Sequence, residues 1–138
     1  MPAKDVHHDA IKSALIKEGW IILDDPYTIK YKQFRVFADL RAGGLVAAER
    51  GHQQIVVEIK SFQGFSPMRE FETALGQLTI YRVFLKKRQL DLKVYLGIGK
   101  EIHQDFFQQP AIQAVLDEVG VPLIIVDLET ETIIRWID

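Results

Sequence analysis

Apolar residues along the chain follow two periods. Val6, Ala10, Ile11, Ala14 and Leu15 recur at helical spacing between Asp5 and Glu18, and Gly19 stops the run. Asp5 suits the N-cap of that helix. Trp20 to Leu23 predicts a short strand, ended by Asp24-Asp25-Pro26, whose aspartates serve a turn. Tyr27 to Phe34 alternates weakly and carries Lys30 and Lys32, with Arg35 close behind. It reads as an edge strand protected by its lysines, or as a rim that touches phosphate. Val36 to Leu40 predicts a firmer strand, and Arg41-Ala42-Gly43-Gly44 a turn. Leu45 to Arg50 then pairs with Ile55 to Lys60 across Gly51-His52-Gln53-Gln54.

Ser66, Pro67 and Glu70 form a strong helix start, and the helix extends to about Lys87. Phe71, Leu75, Leu78, Tyr81 and Leu85 make its apolar face; Lys86-Lys87-Arg88 suits its C-terminal dipole. Lys93 to Ile98 predicts a strand. Glu101 to Phe107 and Ala111 to Glu118 predict helices separated by Pro110. Strands over Pro122 to Asp127 and Ile133 to Ile137 close the chain. The order predicts one α/β (α+β) domain over residues 1–138, with a mixed sheet between helices.

One strand breaks its own pattern. Gln54 to Ser61 has the β-branched run of a buried strand, yet Glu58 and Lys60 lie inside it. Side chains alternate across a strand, so these two share one face and Ile59 takes the other. Asp39 ends the earlier run Val36-Phe37-Ala38-Asp39-Leu40. An Asp followed by Glu-x-Lys is the minimal kit for holding a divalent metal and activating a water.

Composition narrows the setting. With 48% hydrophobic and 26% charged residues, the chain suits a soluble globular protein. It has no cysteine, which removes thiolate metal sites and cysteine nucleophiles and suits a reducing cytoplasm. No run is long and apolar enough to span a bilayer. The net charge of −2 means that any contact with nucleic acid rests on a local patch.

Several residues have two readings. Asp9 is either a solvated first-turn acid or an additional metal ligand from the first helix. Glu49 is either a further acid at the site or a hairpin charge. His7 and His8 are adjacent, diverge on a helix, and read as surface residues. Gln77 and Tyr81 are four apart and share a helix face; Tyr81 either completes the apolar stripe or reaches the site.

Phosphodiester cleavage needs a polarised phosphate, a nucleophilic water and charge stabilisation. Mg²⁺ or Mn²⁺ takes oxygen ligands and keeps several waters. Asp39, Glu58 and the Ile59 carbonyl supply the protein ligands, and Lys60 orients the water and offsets phosphate charge.

Asp39, Glu58-Ile59-Lys60 and Gln77-x-x-x-Tyr81 together resemble the core of the PD-(D/E)xK nuclease superfamily. The helix motif is similar to that of its RecB-like branch. The resemblance implies a restriction-endonuclease-like core and a metal site at Asp39, Glu58 and Lys60. It also implies support from Gln77 and an acid from the first helix, where Asp9 stands. Ala38 takes the place of the motif's proline, at a position that varies widely. The chain further resembles the XisH family, the fdxN element excision controlling factors of cyanobacteria. Met1 to Asp5, His8-Asp9-Ala10, Ala14 to Lys17, Gly19-Trp20, Ala47-Ala48-Glu49, Val57 to Phe62 and Ala74 to Gln77 carry that likeness. It implies a factor that assists a site-specific recombinase in excising a DNA element during heterocyst development, with the small companion factor XisI.

Three classes of function stay open: a metal-dependent endonuclease or nickase, a non-cleaving accessory factor, and a structural or protein-interaction domain with a buried Glu58–Lys60 pair. The apolar strands Ile124 to Val126 and Ile133 to Ile137 also suggest a homodimer or a partner surface.

Overall fold

The computed structural model describes residues 4–47 and 51–138. Twelve elements follow in order: α1 (His8–Lys17), β1 (Ile21–Asp24), β2 (Tyr27–Tyr31), β3 (Phe34–Ala38), β4 (Leu40–Ala47), β5 (Gly51–Ile59), α2 (Pro67–Lys87), β6 (Lys93–Gly99), α3 (Lys100–Asp105), α4 (Pro110–Val119), β7 (Leu123–Asp127) and β8 (Thr132–Ile137). The result is an α+β fold. Six strands form one mixed sheet in the order β1-β4-β5-β6-β7-β8, and β2 pairs with β3 in a separate hairpin. β5, β6 and β7 run parallel; the other pairings are antiparallel.

Strand parity sorts the core into two layers. Ile55, Val57 and Ile59 face the α1 side with Ile11, Ala14, Leu15 and Tyr95. Val56 faces the α2 side with Phe71, Leu78, Tyr81 and Leu85. The β2–β3 hairpin belongs to the α2 layer through Ile29 and Ala38, whereas Leu40 and Ala42 of β4 belong to the α1 layer. The chain therefore crosses from one layer to the other at Asp39.

Three expectations change. The chain does not turn at Arg41–Gly44; those residues lie inside β4, paired with Gln53 to Val56. Here the glycines make room for packing. A Cβ on Gly44 would lie 2.6 Å from Trp20 Cε3, and one on Gly43 would lie 3.3 Å from Leu23 Cδ1. Leu45 to Ala47 accordingly belong to β4 and not to a separate strand, and β4 pairs with β5 from Gly51 onward; the rest of the expected strand, 48–50, lies outside the described residues. Asp5 is not the helix N-cap: His7 holds that position. The Asp5 carboxylate accepts from the His7 and Ser61 amides instead, at 2.8 and 3.0 Å, tying the start of α1 to the end of β5.

α2 begins as its sequence dictates. Ser66 Oγ accepts from Arg69 N at 3.2 Å, with Pro67 at the first helical position. Just before it, Phe62 adopts a left-handed conformation (φ 57°), uncommon for a bulky residue. Its ring is held by Phe106 and Phe107, with centroids at 6.0 and 5.3 Å. That bend turns the chain away shortly after β5 ends at Ile59. Among the described residues, no helix is long and apolar enough to cross a membrane.

Candidate metal and proton centre

Glu58 follows from the parity of β5: it faces the α2 layer next to Val56 and is 4% exposed. Tyr81, buried on α2, donates toward it, with the phenol oxygen 2.9 Å from Glu58 Oε1. The same phenol lies 2.8 Å from the Phe37 carbonyl of β3. Lys60 Nζ lies 3.6 Å from Glu58 Oε2, on the same strand face. Asp39, at the β3–β4 crossing, accepts from the Ile59 amide at 2.7 Å. Its carboxyl is close enough to Glu58 for the charge of one to act on the other.

The electrostatics are those of two acids forced together. Burial pushes Glu58 up to about 8; the Asp39 charge adds to this, and Lys60 and Tyr81 offset only part. Burial also raises Asp39, less fully because the Ile59 amide, His8, Glu58 and Lys60 pull it back. Near neutral pH the pair thus holds a proton, chiefly on Glu58. Burial, then the neighbouring Glu58, raises the Tyr81 phenol, which stays a donor.

His8 is not a surface residue; it is 2% exposed. Its Nε2 lies 2.8 Å from Asp25 Oδ1 and its Nδ1 3.7 Å from Asp39 Oδ1. The first is poorly aligned and the second too long, so neither nitrogen makes a regular hydrogen bond. Asp25 is more than a turn residue: its second oxygen takes Lys12 Nζ at 2.7 Å. Burial would raise Asp25, but Lys12 and His8 outweigh it and hold the carboxyl below its ordinary range. Asp24 pairs with Arg41. A chain of groups, Lys12–Asp25–His8–Asp39–Glu58–Tyr81, therefore links α1 to α2 across the strand ends. Adjacency in sequence hid His8, because nothing local shows which way the first turn of α1 faces.

The remaining candidates divide. Gln77 lies one turn before Tyr81 on the same helix face, and its Oε1 is buried with no hydrogen-bond partner. Asp9 is turned out: its side chain is 86% exposed and 3.7 Å from Lys4 Nζ. Consecutive helical residues are about 100° apart, so burying His8 sends Asp9 to solvent. Asp9 is thus no ligand at this centre. Glu49 lies outside the described residues.

Among the described residues, no three His, Asp or Glu side chains form a ready cage for a metal. Two carboxylates are enough for Mg²⁺, which retains most of its water. The donors present fit such an ion. Burial raises both acids, which a bound cation would reverse, and the Gln77 oxygen is buried with no hydrogen-bond partner.

Fold and centre define an α+β protein that sets paired carboxyls beside a lysine at the end of a parallel strand. The chain belongs to the XisH family, whose pattern (XisH protein) matches residues 1–134. It is similar to a crystal structure of an XisH family protein from Nostoc punctiforme PCC 73102, at 36% identity and a TM-score of 0.85, covering 97% of this chain and 100% of that one. It is also similar to a fdxN element excision controlling factor protein from Anabaena variabilis, at 37% identity and a TM-score of 0.86, covering 98% of this chain and 100% of that one. No curated protein matches the chain.

Proposed function

We propose that the protein is an accessory factor for site-specific excision of a DNA element, working on a nuclease-derived PD-(D/E)xK scaffold with a divalent-metal centre. The observation that carries this is the Asp39–Glu58 pair: a buried Glu58 carboxyl with Lys60 Nζ at 3.6 Å, beside a half-buried Asp39 carboxyl held on the Ile59 amide at 2.7 Å. Such an arrangement costs stability unless a cation is to be placed there. The 37% identical Anabaena variabilis relative, described as a fdxN element excision controlling factor, supports the excision role.

Asp39 and Glu58 would hold Mg²⁺ or Mn²⁺, with the Ile59 carbonyl as the backbone donor. When bound, the ion supplies Lewis acidity toward a phosphate oxygen. Tyr81 fixes the Glu58 carboxyl, the Ile59 amide fixes Asp39, and Lys60 places positive charge where a phosphate would carry excess negative charge. A small companion factor of the XisI type, a recombinase and DNA are the partners this role calls for, and a homodimer is compatible with it.

Retained cleavage is the second reading, favoured by the 3.6 Å approach of Lys60 to Glu58. Plasmid and single-stranded DNA incubated with Mg²⁺ or Mn²⁺ separate the two, wild type beside Lys60→Ala. Nicking by wild type and not by Lys60→Ala establishes an endonuclease. Metal binding without nicking leaves the accessory role. Absence of both reduces the protein to an interaction domain.

A further inference from the structure

The β2–β3 hairpin carries charge that the rest of the molecule does not answer. Segment 27–38 holds Lys30, Lys32 and Arg35 and no acid. Its inward face, Tyr27, Ile29, Tyr31 and Val36, packs on the α2 layer. Parity puts Thr28, Lys30, Arg35 and Phe37 on the outward face, where Lys30 and Arg35 stand directly opposite each other. Like charges opposed across an antiparallel pair destabilise it. Among the described residues, none of Lys30, Lys32 and Arg35 pairs with a carboxylate, whereas Lys12, Arg41, Lys60, Lys93 and Lys100 all do.

The patch extends onto α2. Tyr31 stacks on Phe84 with centroids 5.6 Å apart, and Lys32 Nζ lies 5.5 Å from the centre of the Tyr31 ring. Lys87 and Arg88, three and four residues past Phe84, share that side of the helix and are exposed. Lys30, Lys32 and Arg35 of the hairpin and Lys87 and Arg88 of α2 are thus five exposed cations on two elements that touch at Tyr31 and Phe84, in a chain whose net charge is −2.

The hairpin is joined to the centre through β3. Arg35 and Phe37 share the outward face of β3, and Asp39 follows one residue past its end, at the crossing between layers, so the strand that carries Arg35 leads directly to the carboxyl pair. Four residues of extended strand span about 13 Å. The Phe37 carbonyl is itself bonded by Tyr81. A two-stranded ribbon is also an element that the major groove of B-form DNA admits.

We propose that the outward face of the β2–β3 hairpin, with Lys87 and Arg88 of α2, is a docking surface for the phosphate backbone of duplex DNA, leading it to Asp39 and Glu58. This rests on the DNA-processing role proposed above, but the surface and the centre fail separately. The unanswered Lys30–Arg35 opposition is then resolved by phosphate in the complex.

Fluorescence anisotropy of the full chain with a labelled duplex oligonucleotide, without divalent metal, tests this across a salt series. Wild type is expected to bind, more weakly as salt rises. The triple variant Lys30→Gln, Lys32→Gln, Arg35→Gln is expected to lose about tenfold or more in affinity. Its log–log salt slope should fall by about 2 to 3, close to one per lost phosphate contact. Lys30→Glu alone guards against a folding artefact: facing Arg35, it should raise the melting temperature while weakening DNA binding. Lys93→Gln, remote on β6, should leave DNA binding unchanged. The docking surface is overturned by no duplex binding at low salt, by unchanged affinity in the triple variant and Lys30→Glu, or by tighter binding of an equal length of single strand or polyglutamate. Hairpin-dependent binding without metal response or nicking would leave the surface standing and remove the metal centre.

Discussion

Tyr81 and Glu58 face each other across the sheet–helix boundary with the phenol oxygen 2.9 Å from Oε1, and the same phenol lies 2.8 Å from the Phe37 carbonyl. A phenol has one proton for two acceptors. When Glu58 is protonated it donates to the Tyr81 oxygen, and Tyr81 donates to Phe37, so every group is satisfied. When Glu58 ionises, the two acceptors compete. The protonation state of Glu58 is therefore coupled to how β3 is held on α2.

Stability should depend on pH through Glu58. Its folded value, about 8, lies above its ordinary value of 4.5, so the folded state holds the proton more tightly. The resulting stabilisation is complete below about pH 4.5 and is lost as pH rises toward 8. Urea melts at pH 5.5, 7 and 8.5 should show falling stability in wild type. Glu58→Gln, which has no proton to lose, should be nearly level over that window and more stable than wild type at pH 8.5.

Tyr81→Phe removes the donor and leaves a buried carboxyl and a carbonyl short of a partner. The expected loss is about 1–3 kcal/mol by chemical denaturation above about pH 8, where Glu58 ionises. The loss should be smaller at pH 5.5, where protonated Glu58 supplies a donor of its own.

His8 and Asp9 are neighbours in sequence with opposite fates. His8→Ala opens a gap between Asp25 and Asp39 and should cost about 1–3 kcal/mol. Asp9→Ala, on an exposed face, should stay within about 0.5 kcal/mol of wild type and leave any response to Mg²⁺ unchanged. Thermal melts of both variants with and without the ion check this pair.

Phe71 packs edge-on against Phe106 and Phe107, both at 5.7 Å, and that aromatic group also fixes the bend at Phe62. Phe71→Ala should cost about 3–5 kcal/mol. Phe71→Leu should cost less and retain metal binding, since it keeps most of the apolar volume; denaturation with and without Mn²⁺ compares the two.

The residues most legible in the sequence were those governed by a local period. Two-residue alternation put Glu58 and Lys60 on one face, and i,i+4 spacing put Gln77 and Tyr81 on another, before any tertiary contact was known. Ser66-Pro67 marked the start of α2 for an equally local reason. Gly43 and Gly44 misled because a glycine pair signals a turn as readily as a close approach, and Trp20 decides between them from another strand. His8 and Asp25 were invisible as site residues because their roles rest on contacts 17 and 31 positions apart in the chain, which no local pattern encodes.

The most direct test of the centre is the melting temperature with and without millimolar Mg²⁺ or Mn²⁺, in wild type and Glu58→Gln. An ion that binds only the folded state stabilises it by mass action. At about ten times its dissociation constant the gain is about 1.4 kcal/mol, or roughly 3–6 °C for a chain of this size. The account predicts that rise in wild type, larger at pH 8 than at pH 6 because the ion displaces the Glu58 proton, and its absence in Glu58→Gln. An unchanged melting temperature in wild type, or an equal rise in Glu58→Gln, would contradict a metal centre at Asp39 and Glu58.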